Sequence, residues 1–289
     1  MVKPRLTLFF IVEPPIYQNL ACYLAASIKE QFDEPITLIG YCPAHRYNEL
    51  DPKVLGVLEK LGVEVRTFEA EGVFDPAYPH GNKILACLEE RDTLYSGFVD
   101  SDVLFIKKNK IANILKPKKV SLTPAASMYW ADRDLWPTIY SEFGMDVPEE
   151  RIYLARQNGR PKVPYFSSGF FTFPEKPLPK IGKRFAEVWM ETAQKIDAIE
   201  GLENKRPYLD QMSLPVAIKR AGIDYNLMPE EQHFILGGSL RKEPFPEDRG
   251  IYTVHYRKWN ILTENGLREV GKDALLKQAG VKKVAHFKG

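Results

Sequence analysis

Cysteine, net charge and long apolar runs are all scarce in this chain of 289 residues, and each scarcity excludes something. The three cysteines (Cys22, Cys42 and Cys87) are odd in number and show no Cys-x-x-Cys spacing. They suit reduced, buried thiols in a cytosolic protein better than a disulfide framework. The formal net charge is +2, without the clear basic excess of a general nucleic-acid binder. No stretch approaches the roughly 20 apolar residues that span a bilayer. Leu6–Val12 follows two cations, as a signal peptide's apolar segment would, but Glu13-Pro14-Pro15 interrupts it early. It therefore reads as a buried first strand. Internal repeats and long linkers are lacking too, so one domain over residues 1–289 is expected. At 44% the hydrophobic share is ordinary for a globular chain, which excludes disorder as a description of the whole.

What is present is a strand–helix rhythm over the first 110 residues. Leu6–Glu13, Ile36–Tyr41 and Val63–Phe68 read as strands, and Ser96–Ile106 contains a fourth. Asn19–Phe32, Lys53–Leu61 and Lys83–Arg91 lie between them with helical spacing. Such alternation implies right-handed crossovers and a mainly parallel sheet, whose ligands bind at the carboxyl ends of the strands. The second half is less regular. Pro-rich segments separate a strand at Tyr165–Phe173 from helices near Gly182–Ile196, Tyr208–Ala221 and Gly266–Ala279.

The most informative segment is Val99-Asp100-Ser101-Asp102, where two carboxylates close an apolar run. Ionised carboxylates beside a core are costly unless paired or bound to a cation, and such oxygen donors suit Mg²⁺ or Mn²⁺. The alternative is an ordinary strand end with two surface aspartates. Lys83 stands near the start of the preceding helix, where anions are favoured. Tyr165–Phe173 carries Ser167-Ser168-Gly169 in its interior, marking a close approach to a ligand or a simple bulge. Asp210-Gln211 opens a helix, and His255 ends a β-rich run just before Arg257 and Lys258.

In this order the pieces resemble the GT-A glycosyltransferases, most closely the glycogenin-like family 8 enzymes that use UDP-sugars. The resemblance spans roughly Leu6 to Leu262. It implies an α/β, Rossmann-like, mainly parallel central sheet with helices on both faces and an elaborated C-terminal half. The nucleotide-binding half would be about 1–110 and the acceptor half about 111–289. By the same resemblance, Tyr17 and Val12 face the nucleotide. Asp100 and Asp102 are metal and ribose ligands, with Ser101 between them, and His255 is the third metal ligand. Lys83 and Lys258 contact the diphosphate, Ser168 and Gly169 border the donor, and Asp210-Gln211 lies beside its sugar. Two departures are visible: Lys258-Trp259 follows His255 after only two residues, and Ser167 stands where the family commonly has Asn.

The activity implied is a hexosyl transfer from UDP-sugar to a glycan, lipid-linked or protein acceptor, in the cytoplasm, with Mn²⁺ or Mg²⁺ and with retention. An inverting reaction would need a base, for which Asp132, Asp134 and Asp210 are candidates. Two other functions compete. A haloacid-dehalogenase-type phosphatase also uses Asp-x-Asp, but near its N-terminus, with a small residue, Thr or Val where Leu104 stands, and with a later acidic pair. A non-catalytic sugar-nucleotide binder is the third. The aromatic cluster Tyr129–Trp136 with Tyr140 suits either sugar rings or a core. Lys107–Lys119 holds six lysines, either a solvated face or a contact with anionic membrane.

Overall fold

A computed structural model of the protein describes residues 5–128, 130–131, 134–155, 160–203, 205–236 and 245–284. The first half runs β1 (Leu6–Ile11), α1 (Tyr17–Gln31), β2 (Thr37–Pro43), α2 (Pro52–Lys60), β3 (Val63–Phe68), α3 (Asn82–Leu88), β4 (Tyr95–Val99) and β5 (Val103–Phe105). Then follow α4 (Ile111–Ile114), β6 (Val120–Pro124), α5 (Leu135–Ser141), β7 (Phe166–Pro174), α6 (Phe185–Asp197), α7 (Leu209–Ala221) and β8 (Tyr225–Leu227). Last come β9 (Phe234–Ile235), β10 (Thr253–His255), α8 (Trp259–Glu264) and α9 (Arg268–Ala279).

The expected α/β architecture is present. Seven strands lie in the order β3-β2-β1-β4-β7-β6-β8, with β7 antiparallel to both neighbours and every other pair parallel. Side chains alternate along β1 and feed two cores. Leu6, Leu8 and Phe10 pack with α1, α2 and α9, whereas Phe9 packs with α3, α6 and α7. A strand buried on both faces reads as continuous apolar sequence, which is why Leu6–Ile11 shows no polar alternation.

Local chemistry sets the boundaries. Asp51 caps α2 by accepting from the Lys53 amide, with Pro52 at the first turn. Gly222 ends α7 in the left-handed conformation, φ 58°. The helix expected from Gly182 starts only at Phe185, because Gly182 is itself left-handed, φ 67°. Arg91, expected within the third helix, lies beyond it. Its buried guanidinium donates to the carbonyls of Ala86 and Cys87 at the end of α3 and pairs with Glu175 at 2.6 Å. It also stacks over Phe9, 4.2 Å from the ring centroid. That anchor fixes the helix that carries Lys83.

The expected fourth strand at Ser96–Ile106 is two strands in two different sheets. The Val103 amide donates to the Asp100 carbonyl at 3.0 Å, so Asp100–Asp102 forms a turn. Beyond it, β5 joins a small second sheet in the order β5-β10-β9. Within the expected aromatic cluster, Trp136 and Tyr140 are buried core residues on α5; Tyr129 and Asp132 lie outside the described residues. Of the lysine-rich run, Lys108 pairs with Asp33 and Lys119 with Asp224. Among the described residues no helix is long and apolar enough to cross a membrane.

Candidate active site

A cleft of about 560 Å³ opens at the carboxyl ends of β1 and β4. In chain order the strands run outward from β1 to β3 and then return to β4 on the other side. The cleft therefore sits where the winding direction reverses.

The acidic turn and the histidine meet because β5 and β10 pair. His255 is in register with Val103, directly beyond the turn, and the Tyr256 amide donates to the Asp102 carbonyl at 3.0 Å. His255 Nε2 lies 3.1 Å from Asp102 Oδ1 and 4.0 Å from Asp100 Oδ2. One ligand atom from each of the three residues falls within 4.8 Å of the others. The Ser101 hydroxyl donates to the Ile11 carbonyl and ties the turn to β1. The two carboxyls differ. Burial raises Asp100 above the usual carboxylate range, and Lys83 only partly offsets it. Burial is the strongest single influence on Asp102, but the adjacent His255 and its hydrogen bond, a backbone hydrogen bond and Lys83 together hold that carboxyl below the usual range.

Behind the turn lies a polar hub. Lys83, second residue of α3, places Nζ 3.1 Å from Asp100 Oδ1, 3.0 Å from Asp210 Oδ2 and 3.3 Å from Ser168 Oγ. The Ser168 hydroxyl donates to Asp210 Oδ2 at 2.6 Å, and the Tyr78 hydroxyl donates to Asp210 Oδ1 at 3.2 Å. Burial alone would neutralise Lys83, yet Asp100 and Asp210 raise its affinity for the proton. Burial likewise works against the Asp210 carboxylate, but the charge of Lys83 and the Ser168 hydrogen bond keep it below the usual range. Gly169 has its own steric reason: a Cβ there would sit 2.8 Å from Asp100 Oδ2 and 2.9 Å from His233 Nε2. Its role is a close approach of side chains.

Of the residues singled out in the sequence, Tyr17, Lys83, Asp100, Ser101, Asp102, Ser168, Gly169, Asp210, Gln211 and His255 all line this cleft. Two of the nucleotide contacts expected from the resemblance do not. Val12 is fully buried, with its amide bonded to the Tyr41 carbonyl at 2.7 Å, and its neighbour Ile11 faces the cleft. Lys258 is exposed outside the lining. Arg257, held at φ 59°, lines the cleft instead, because the positive φ turns the chain immediately after Tyr256. Asp134 is an exposed residue at the start of α5 and does not line the cleft.

Of the expected aromatic cluster, Trp130 reaches the cleft, while Tyr208 and His233 are contributors that sequence reasoning missed. Trp130 stacks on Tyr208 with centroids 4.2 Å apart and planes 5° from parallel, and both border the cleft opposite the acidic turn. His233, just before β9, is 1% exposed, and its ring lies 5.0 Å from that of His255. Burial holds its imidazole far below the usual histidine range, and nearby His255 adds to this. No spacing joins His233 to His255 in the sequence; only the parallel β9–β10 pair does.

The family described as the Rhodobacterales glycosyltransferase domain matches residues 8–222. No curated protein sequence matches the chain. The matched span runs from β1 through α7 and carries Lys83, Asp100, Asp102, Ser168, Gly169 and Asp210; His233 and His255 lie beyond it. Because the match covers well over half of the chain, the protein belongs to the Rhodobacterales glycosyltransferase domain family.

Proposed function

We propose that the protein transfers a sugar from a UDP-sugar to an acceptor, using a divalent cation, Mn²⁺ or Mg²⁺, held by Asp100, Asp102 and His255. The observation that carries this is the convergence of those three side chains within 4.8 Å, next to the Lys83–Asp210 pair, in the cleft of a glycosyltransferase-family chain. The donor set fits such an ion. Two carboxylate oxygens and one imidazole nitrogen suit a hard to borderline cation, and two half-buried carboxylates side by side favour positive charge between them. When bound, the cation neutralises charge developing on the departing diphosphate.

The chain's own residues do the rest. Lys83 and Arg257 add positive charge around the diphosphate. Tyr17, 47% exposed at the start of α1, offers a ring face at the rim for the nucleobase. Ser168, Asp210 and Gln211 orient the donor sugar. Asp210 already accepts from Lys83, Ser168 and Tyr78, and its lowered pKa makes it a poor proton acceptor. This favours retention over an inverting mechanism that uses Asp210 as base. The Trp130–Tyr208 stack forms the acceptor side, where aromatic faces suit a sugar ring.

A screen of several nucleotide sugars with Mn²⁺, reading release of the nucleoside diphosphate, tests the proposal. UDP should appear from at least one UDP-sugar, and Asp102→Asn should lower that turnover at least about 100-fold with unchanged circular dichroism. Failure of every donor with the wild-type protein would leave only a sugar-nucleotide binder.

A further inference from the structure

We infer that His233 is a fourth protein ligand of the cation, beside Asp100, Asp102 and His255, which makes the site a two-imidazole, two-carboxylate centre selective for Mn²⁺ over Mg²⁺. This rests on the cation-dependent reading above and adds a ligand that no motif in the chain announces.

His233 is 1% exposed, and among the described residues neither Nδ1 nor Nε2 has a hydrogen-bond partner. A buried polar side chain left open at both ends is costly and rare, so such a group calls for a partner in the working state. The backbone around it is firmly set. The His233 amide donates to the Glu230 carbonyl at 2.9 Å, and the side chain of Gln232 accepts from Asn109 at 2.7 Å. The ring is therefore presented by an ordered turn.

Its place is set by the second sheet. Ile235 pairs with His255 and Phe234 with Val254. Ile235 lines the cleft together with His255, and His233 immediately precedes the strand that carries Ile235. The centroids of the two imidazole rings lie 5.0 Å apart with planes tilted by 37°. Gly169 supplies the remaining observation. The position its Cβ would take is 2.8 Å from Asp100 Oδ2 and 2.9 Å from His233 Nε2, so the glycine lets both atoms pack closely against the same point of β7. A neutral imidazole offers a lone pair to a cation. A second nitrogen donor raises affinity for Mn²⁺, which accepts imidazole, more than for Mg²⁺, which prefers oxygen.

Pulsed electron paramagnetic resonance on the full chain loaded with Mn²⁺ counts the nitrogens bound to the ion. Two imidazole couplings are expected in the wild type and one in His233→Gln. Calorimetry should show Mn²⁺ affinity falling at least about tenfold in that variant, with Mg²⁺ affinity falling less than about threefold. One nitrogen in the wild type overturns the assignment even if the variant fails to fold. If Asp102→Asn still abolishes Mn²⁺ binding in that case, the three-ligand site stands and His233 is not a ligand. No Mn²⁺ binding by the wild type would overturn both.

Discussion

Lys83 and Asp210, delivered by α3 and α7, meet at 3.0 Å on the floor of the cleft, and the same ammonium reaches Asp100 at 3.1 Å. One cation thus joins the acidic turn to the opposite wall. The side chains involved are largely dry, with Lys83 12% and Asp210 4% exposed. Removing the ammonium leaves two carboxylates facing each other with little water.

Lys83→Met is expected to destabilise the fold by about 3 kcal/mol, the low end for breaking a buried ion pair. Urea unfolding measures it through the midpoint. Adding Asp210→Asn should recover part of the stability while leaving transfer activity lost. An unchanged midpoint in the single variant would show that Lys83 is not needed to hold the two acids.

Acid should expose the Asp210 interactions. The folded carboxyl is held below its ordinary value, so its contribution is complete above the unfolded pKa of about 3.9. It is lost as pH falls through the folded pKa, because the unfolded state there binds the proton more readily. Thermal melts between about pH 5 and pH 2 should drop less steeply for Asp210→Asn than for the wild type. Parallel curves would contradict the assignment.

On the opposite wall, Trp130→Ala should raise the KM for acceptor at least about tenfold and leave the KM for the UDP-sugar within about twofold, the loss expected for one stacked ring. Steady-state kinetics with each substrate varied separately decide it. An equal rise in both constants would mean that the ring supports the cleft as a whole.

The thiols should be silent. Burial pushes Cys22 and Cys42 up to about 12 and Cys87 higher still, so almost no thiolate exists near neutrality. A chromogenic disulfide reagent should titrate none of the three in the native protein and all three in denaturant. Fast labelling without denaturant would show that α1, β2 or α3 opens locally.

The periodicity of residues 6–99 was enough to determine the parallel half of the sheet, because a strand packed by helices on both faces must be apolar throughout. Asp100 and Asp102 were legible for a related reason: charge at the end of such a run demands a partner. The resemblance added His255 and Asp210, whose spacing alone says nothing about contact. Tertiary structure decided what local pattern cannot encode. Asp100–Asp102 became a turn because β5 leaves for a second sheet, and that sheet brings His255 to the acids and His233 behind them. Arg257 rather than Lys258 faces the cleft because one positive φ redirects the chain. Trp130 and Tyr208, far apart in sequence, come into their stack only in the folded chain. These are long-range pairings, fixed by strand register and buried charge, and no window of sequence contains both partners.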